Sequence, residues 1–262
     1  MLYGAIIGDI IGSRFEFKND RSYIYSLFTK NSTFTDDTLL TLAVAYSLIC
    51  KGDLETNLIH NILTLVNVYP NLSYGDMFIE WIENPSRKAY GSKGNGALMR
   101  ISPCIYFGKS LKEIRRLARR ITDITHNSPE AEKAVDCLVS VMYLLKNGKS
   151  KKYIRYYVNR YYYKLNTSLE YLQNNYTYSE LAEDTIVPVL ICFLESYSFE
   201  SAIRNGISIG GDSDTICSII GSIAELYYNI PVDFIKEVYK RLPDLLLSIL
   251  HMFINKIGTL VN

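Results

Sequence analysis

The chain has 262 residues, 48% of them hydrophobic and 21% charged. At this size a folded chain hides roughly three quarters of the surface its unfolded form exposes, so one large core is within reach. Lys and Arg number 28 against 27 Asp and Glu, a balance of +1 that excludes both a basic nucleic-acid footprint and an acidic tail, while 15 Gly and 7 Pro exclude collagen-like and disordered classes.

The N-terminal segment has no basic run ahead of its apolar residues, and Asp9 interrupts them, so it does not read as a secretory signal. A helix is expected there, with Gly4, Gly8 and Gly12 at four-residue spacing as a flat stripe for close packing. Asp9 and Glu16 bracket its end. Glu16, between Phe15 and Phe17, reads equally as a partly buried acid with a shifted pKa or as a surface acid. Thr35, Asp36 and Asp37 then lead into an apolar helix over 38–50 with almost no polar face, which marks it as central.

Further on, the stretch 90–100 carries three glycines, Gly91, Gly94 and Gly96. It is neither a P-loop nor a dinucleotide fingerprint, and by itself it fits a structural turn as well as a phosphate cradle. Ser110 and Glu113 form a capping box, with Leu111, Ile114, Leu117 and Ile121 on one side of the helix they open. Arg115, Arg116, Arg119 and Arg120 lie mostly on the other side, read as a solvated face in preference to a polyanion site. His126 precedes a cap at Ser128-Pro129, which opens a helix to about residue 147, stopped by Gly148. The Tyr-rich stretch 153–163 has strand propensity, but its length and Lys/Arg spacing favour a helix over 152–164. Helices follow over 181–196, with a kink or restart at Pro188, and over 199–205, 214–228, 232–242 and 244–256. Strand-like alternation is scarce, and no apolar run is long enough to span a bilayer. The cysteines at 50, 104, 137, 192 and 217 are widely spaced in apolar surroundings, as reduced thiols of a cytoplasmic protein would be. One all-α domain over 1–262 is the expectation. The 22 tyrosines are read as packing residues.

Two segments break the rule that charge stays out of apolar surroundings: Thr35-Asp36-Asp37 ahead of the apolar helix, and Gly210-Gly211-Asp212-Ser213-Asp214-Thr215 ahead of another. A cap needs one such side chain, and each segment offers more. Taken singly, either could be an ordinary cap with a solvated acid. Brought together, their carboxylates would repel unless a cation neutralised them. Carboxylate and hydroxyl oxygens suit hard ions such as Mg²⁺ or Mn²⁺. Spacing does not say whether the two segments meet.

Together these segments resemble the ADP-ribosylglycohydrolase family, which includes the dinitrogenase-reductase-activating glycohydrolases. The matching pieces are residues 4–17, Phe34 to Thr38, Gly91 to Arg100, Thr125-His126 and Gly210 to Thr215, in the family's order. The resemblance implies a single compact, multi-helix orthogonal bundle that cleaves the glycosidic bond between ADP-ribose and a modified acceptor, such as a protein Arg or Ser. It implies two divalent cations, Mg²⁺ or Mn²⁺, held by Thr35, Asp36, Asp37, Asp212, Asp214 and Thr215. Gly91, Ser92, Gly94, Asn95 and Gly96 would cradle the diphosphate, with Met99 and His126 near the bound ADP-ribose. Glu16 matches a conditional metal ligand or acid over the site, and Glu16, Asp36 and Asp37 form the implied catalytic set. A monomer with no membrane and no general nucleic-acid partner is expected. The alternative is a non-catalytic ADP-ribose-binding or structural protein on the same fold.

Two departures bear on specificity. Lys93 stands where many relatives have an aromatic residue in the glycine loop, leaving Tyr90 as the candidate to stack on adenine. The loop after Trp81 is short, whereas arginine-specific members carry an acid on a longer loop there.

Overall fold

The computed structural model describes residues 2–16 and 21–261. Among them fourteen α-helices follow in chain order: α1 Tyr3–Gly12, α2 Asp36–Ile49, α3 Leu54–Val68, α4 Asp76–Glu83, α5 Gly96–Met99, α6 Leu111–Thr122, α7 Pro129–Lys146, α8 Lys151–Tyr161, α9 Leu169–Asn175, α10 Ala182–Leu194, α11 Phe199–Ile209, α12 Ser213–Ala224, α13 Val232–Arg241 and α14 Asp244–Val261. The described residues hold no strand, only a single bridge between Gly94 and Leu181. The all-α expectation is met.

Helix starts follow local chemistry. Thr35, Asp53, Ser110, Ser128, Ser150 and Ser168 each accept a backbone N–H from the first turn they precede. At Ser110 the box closes differently from the expectation. Glu113 reaches the N–H of Lys109, not that of Ser110. The Tyr-rich stretch is helical, as α8. Helix α10 runs continuously through Pro188, with no restart. Helices α3, α4, α5 and α9 lie outside the expected set.

The core centres on α1 and α12, both buried along their whole length. They run antiparallel at a distance only glycine permits. A Cβ at Gly4 would sit 2.2 Å from the carbonyl oxygen of Gly221, one at Gly8 1.9 Å from that of Cys217, and one at Gly12 2.4 Å from that of Ser213. The glycine stripe is therefore a backbone-to-backbone seam. At its far end Glu225, the residue that follows α12, accepts the N–H groups of Leu2 and Gly4, both at 2.9 Å, and so caps α1 with a carboxylate. Helix α2 packs beside this pair and against α3 and α14, while α7 and α10 close the side that carries α5.

Arg115, Arg119 and Arg120 engage acids: Asp136, then Asp123 and Glu132, then Asp53 and Glu55. The arginine face is thus a set of exposed ion pairs. All five cysteines are free, four of them buried. No helix among the described residues is long and apolar enough to cross a membrane.

Candidate active site

The seam fixes where the site lies. Gly12 ends α1 against the backbone of Ser213 and Asp214, so the first turn of α12 sits where the chain leaves α1 toward Glu16. Gly210 and Gly211 make the bend into that turn with φ of +71° and +83°, the left-handed region open to glycine. Helix α2 brings the other acidic segment to the same place. The hydroxyl of Thr215 donates to Asp37 Oδ2 at 3.1 Å, joining segments 178 positions apart. Ligand atoms of Glu16, Asp212 and Asp214 lie within 4.8 Å of one another.

The carboxylates share one predicament. Burial and the Asp214 charge push Asp36, Asp37 and Asp212 well above the usual carboxylate range. The same causes push half-buried Glu16 up to about 8. Asp37 Oδ1 is buried with no hydrogen-bond partner. No Lys or Arg pairs with these acids among the described residues. An orphaned, repelling set of hard oxygen donors fits a divalent cation.

These groups line one cleft of about 680 Å³, which is of ligand size. Glu16, Asp36, Asp37, Asp212, Asp214 and Thr215 are on one side; 90–96, Met99, Arg100 and His126 are on the other. Asn95 ties the halves together by donating to Asp212 Oδ2 at 2.7 Å. Met99 is buried, its sulfur 3.8 Å from the Thr215 hydroxyl. Thr35 does not line the cleft; its hydroxyl donates to Asp9 Oδ1 at 2.8 Å. Phe17, at the edge of the N-terminal motif, lies outside the described residues.

The glycine loop differs from a cradle of free amides. The N–H of Gly91 goes to Asn127 Oδ1, that of Ser92 to the Thr125 carbonyl, that of Gly94 to Ser92 Oγ and that of Asn95 to the Glu180 carbonyl. Four loop amides are thus committed within the protein. Lys93 is exposed and turned to Glu130 at 2.7 Å. Tyr90 lines the cleft with its ring centre 6.2 Å from that of His126.

Sequence reasoning missed two features. Asp9, fully buried in α1, accepts from the backbone N–H and hydroxyl of both Thr35 and Thr38. It anchors the start of α2. The signal was present, because a charge inside a wholly apolar helix must find partners. Tyr178, Glu180 and Leu181 also border the cleft, placed there by pairing with the glycine loop: the N–H of Ala182 donates to the Lys93 carbonyl at 2.9 Å. No local pattern marks them.

The chain is similar to known proteins in sequence and in fold. The family model for ADP-ribosylglycohydrolase matches residues 1–257. An ADP-ribosyl-(dinitrogen reductase) glycohydrolase of Rhodospirillum rubrum is 25% identical, covering 87% of this chain and 84% of its own. ADP-ribosylhydrolase ARH3 of Mus musculus is 23% identical, with coverage of 87% and 82%. A solved structure described as an ADP-ribosylglycohydrolase-related protein complex superposes with a TM-score of 0.69 at 21% identity over 96% of both chains, and shares the fold.

Proposed function

The chain belongs to the ADP-ribosylglycohydrolase family, and from that membership we propose that it is a metal-dependent hydrolase that releases ADP-ribose from a modified acceptor. One observation carries the reading: Thr215 and Asn95 join both acidic segments and the glycine loop into one cleft. Asp36, Asp37, Asp212 and Asp214, with the Thr215 hydroxyl beside them, would hold two divalent cations, Mg²⁺ or Mn²⁺, while Thr35, turned to Asp9, would support Asp37 from behind by accepting its N–H. When bound, such ions orient ribose hydroxyls and lower the pKa of a water.

The chain's own groups do the rest. Breaking the bond at the anomeric carbon builds oxocarbenium character on the ribose, and the departing nitrogen or oxygen must gain a proton. Glu16, half-buried at the edge of the cleft, can supply that proton. One of the two carboxylates Asp36 and Asp37 accepts the single proton that the attacking water loses. The glycine loop and its neighbours hold the diphosphate, and Tyr90 offers a ring for adenine.

The test is a panel of Arg-, Ser- and DNA-linked ADP-ribose with Mg²⁺ present. The parent chain should release ADP-ribose from at least one member. Folded Asp36→Ala and Asp214→Ala variants should be slower by about 10²-fold or more. Release at the parent rate by those variants, or ADP-ribose binding without any release by the parent, would sink the reading.

A further inference from the structure

We propose that Arg100 and Thr125 lock His126 as a neutral imidazole with its proton on Nε2, so that the ring is a fixed N–H donor for an anionic ligand oxygen in the cleft. Arg100 follows α5 and is 1% exposed. No carboxylate pairs with it among the described residues, and burial lowers its pKa only to about 10, so it keeps its charge at neutral pH. Its Nη2 lies 2.5 Å from Thr125 Oγ1 and 3.4 Å from His126 Nδ1, and Thr125 Oγ1 lies 2.7 Å from the same Nδ1.

Donor chemistry orders this chain in one direction. A guanidinium N–H can only donate, so Thr125 Oγ1 accepts from Arg100 and keeps its own proton for His126 Nδ1, which Arg100 Nη2 also faces as a donor. Nδ1 is then an acceptor, and the ring's one proton is on Nε2. A second proton at Nδ1 would face a hydroxyl and a guanidinium that are both donors. Burial and the Arg100 charge oppose it too, and hold the His126 pKa well below its usual value. The other titratable ring against it is Tyr90; Lys93, in the same loop, is turned to Glu130.

The opposite edge of the ring meets the glycine loop. Nε2 would be 3.4 Å from a Cβ at Gly96 and 3.5 Å from one at Gly94. With the amides of Gly91, Ser92, Gly94 and Asn95 already committed, the imidazole adds a side-chain donor beside the first turn of α5 at this edge of the loop. His126 is thereby assigned to hydrogen bonding, not to proton transfer, and Arg100 and Thr125 are positioning residues. The anion's identity as the diphosphate rests on the function proposed above; the tautomer does not.

The experiment is a long-range ¹H–¹⁵N correlation spectrum of the nucleotide-free protein, with His126 assigned by its loss in His126→Gln. The expected result is a pure Nε2–H tautomer that does not titrate between pH 5 and 8. An Nδ1–H tautomer, or titration in that range, overturns the lock. Thr125→Val should give a tautomer mixture and weaken ADP-ribose binding about tenfold, the size of a hydrogen bond to a charged group, while Thr125→Ser restores both. A Thr125→Val variant that keeps the pure tautomer also overturns it. If Thr125→Val does not fold, the parent spectrum decides. A pure tautomer in a parent chain that fails to bind ADP-ribose refutes the functional reading and leaves the lock standing.

Discussion

The α1–α12 seam and the acidic cleft at its end are built from the same two helices and use closeness in opposite ways. Along the seam, Gly4, Gly8, Gly12 and Gly221 let backbones touch, and every neighbour gains packing. At the cleft, Asp36, Asp37, Asp212 and Asp214 are brought together with no Lys or Arg paired to them among the described residues, and the neighbours repel. The antiparallel register links the two: the contact of Gly12 with Ser213 and Asp214 is both the last step of the seam and the floor of the acidic site. Stability in the first region holds strain in the second, as sites that need unfavourable charge require.

The seam should be the easier region to break. A Cβ at Gly8 would fall 1.9 Å from the Cys217 carbonyl oxygen, on backbone that cannot turn aside. Gly8→Ala should therefore cost about 3 kcal/mol, seen in a denaturant melt, with loss of cleft geometry. A change under about 0.5 kcal/mol would show that the helices can move apart freely.

The cleft should respond to cations and pH. Burial and the Asp214 charge raise Asp9 to about 7 and Glu16 to about 8 in the folded state, whereas unfolded carboxyls titrate near 4. Between those limits the folded state binds more protons, so chelated protein should lose stability as pH rises from about 4 through 8. Mg²⁺ at a hundredfold excess over its Kd should add about 2.7 kcal/mol at pH 8, and little at pH 5 where protons compete. A Mg²⁺ effect equal at both pH values would contradict the repulsion described here.

A smaller effect separates charge from shape. Asp37→Asn keeps the side-chain volume and removes one repelling charge, so the chelated protein should gain about 1 kcal/mol and respond less to Mg²⁺. Stability unchanged in chelator at a pH where Asp37 is ionised would contradict its share in the repulsion. The smallest effect lies outside both regions. Arg120→Ala removes exposed pairs with Asp53 and Glu55 and should change a melt by about 0.5 kcal/mol or less.

Much of this was legible locally. Helix starts at Thr35, Ser110 and Ser128 follow from side chains within three residues of the N–H groups they cap, and the glycine stripe from a four-residue spacing. Helix α3 was equally open to reading, with Asp53 as its cap and Leu54, Leu58, Ile62 and Leu65 on one face. The border made by Tyr178 to Leu181 was not, because it depends on pairing across about 85 residues with the glycine loop. Nor was the commitment of the loop amides, since their acceptors Asn127, Thr125 and Glu180 come from elsewhere in the chain.

Which acids, hydroxyls and glycines stand at which helix ends is written in the chain locally, because capping and turn geometry act over a few residues. The all-α class is legible for the same reason. The meeting of the two acidic segments, the burial and like charge that raise the Glu16 and Asp9 pKa values, and the reach of Arg100 to His126 through Thr125 came from the folded chain. Those outcomes are set by burial and by charges brought close across the fold, and neither has a local signature.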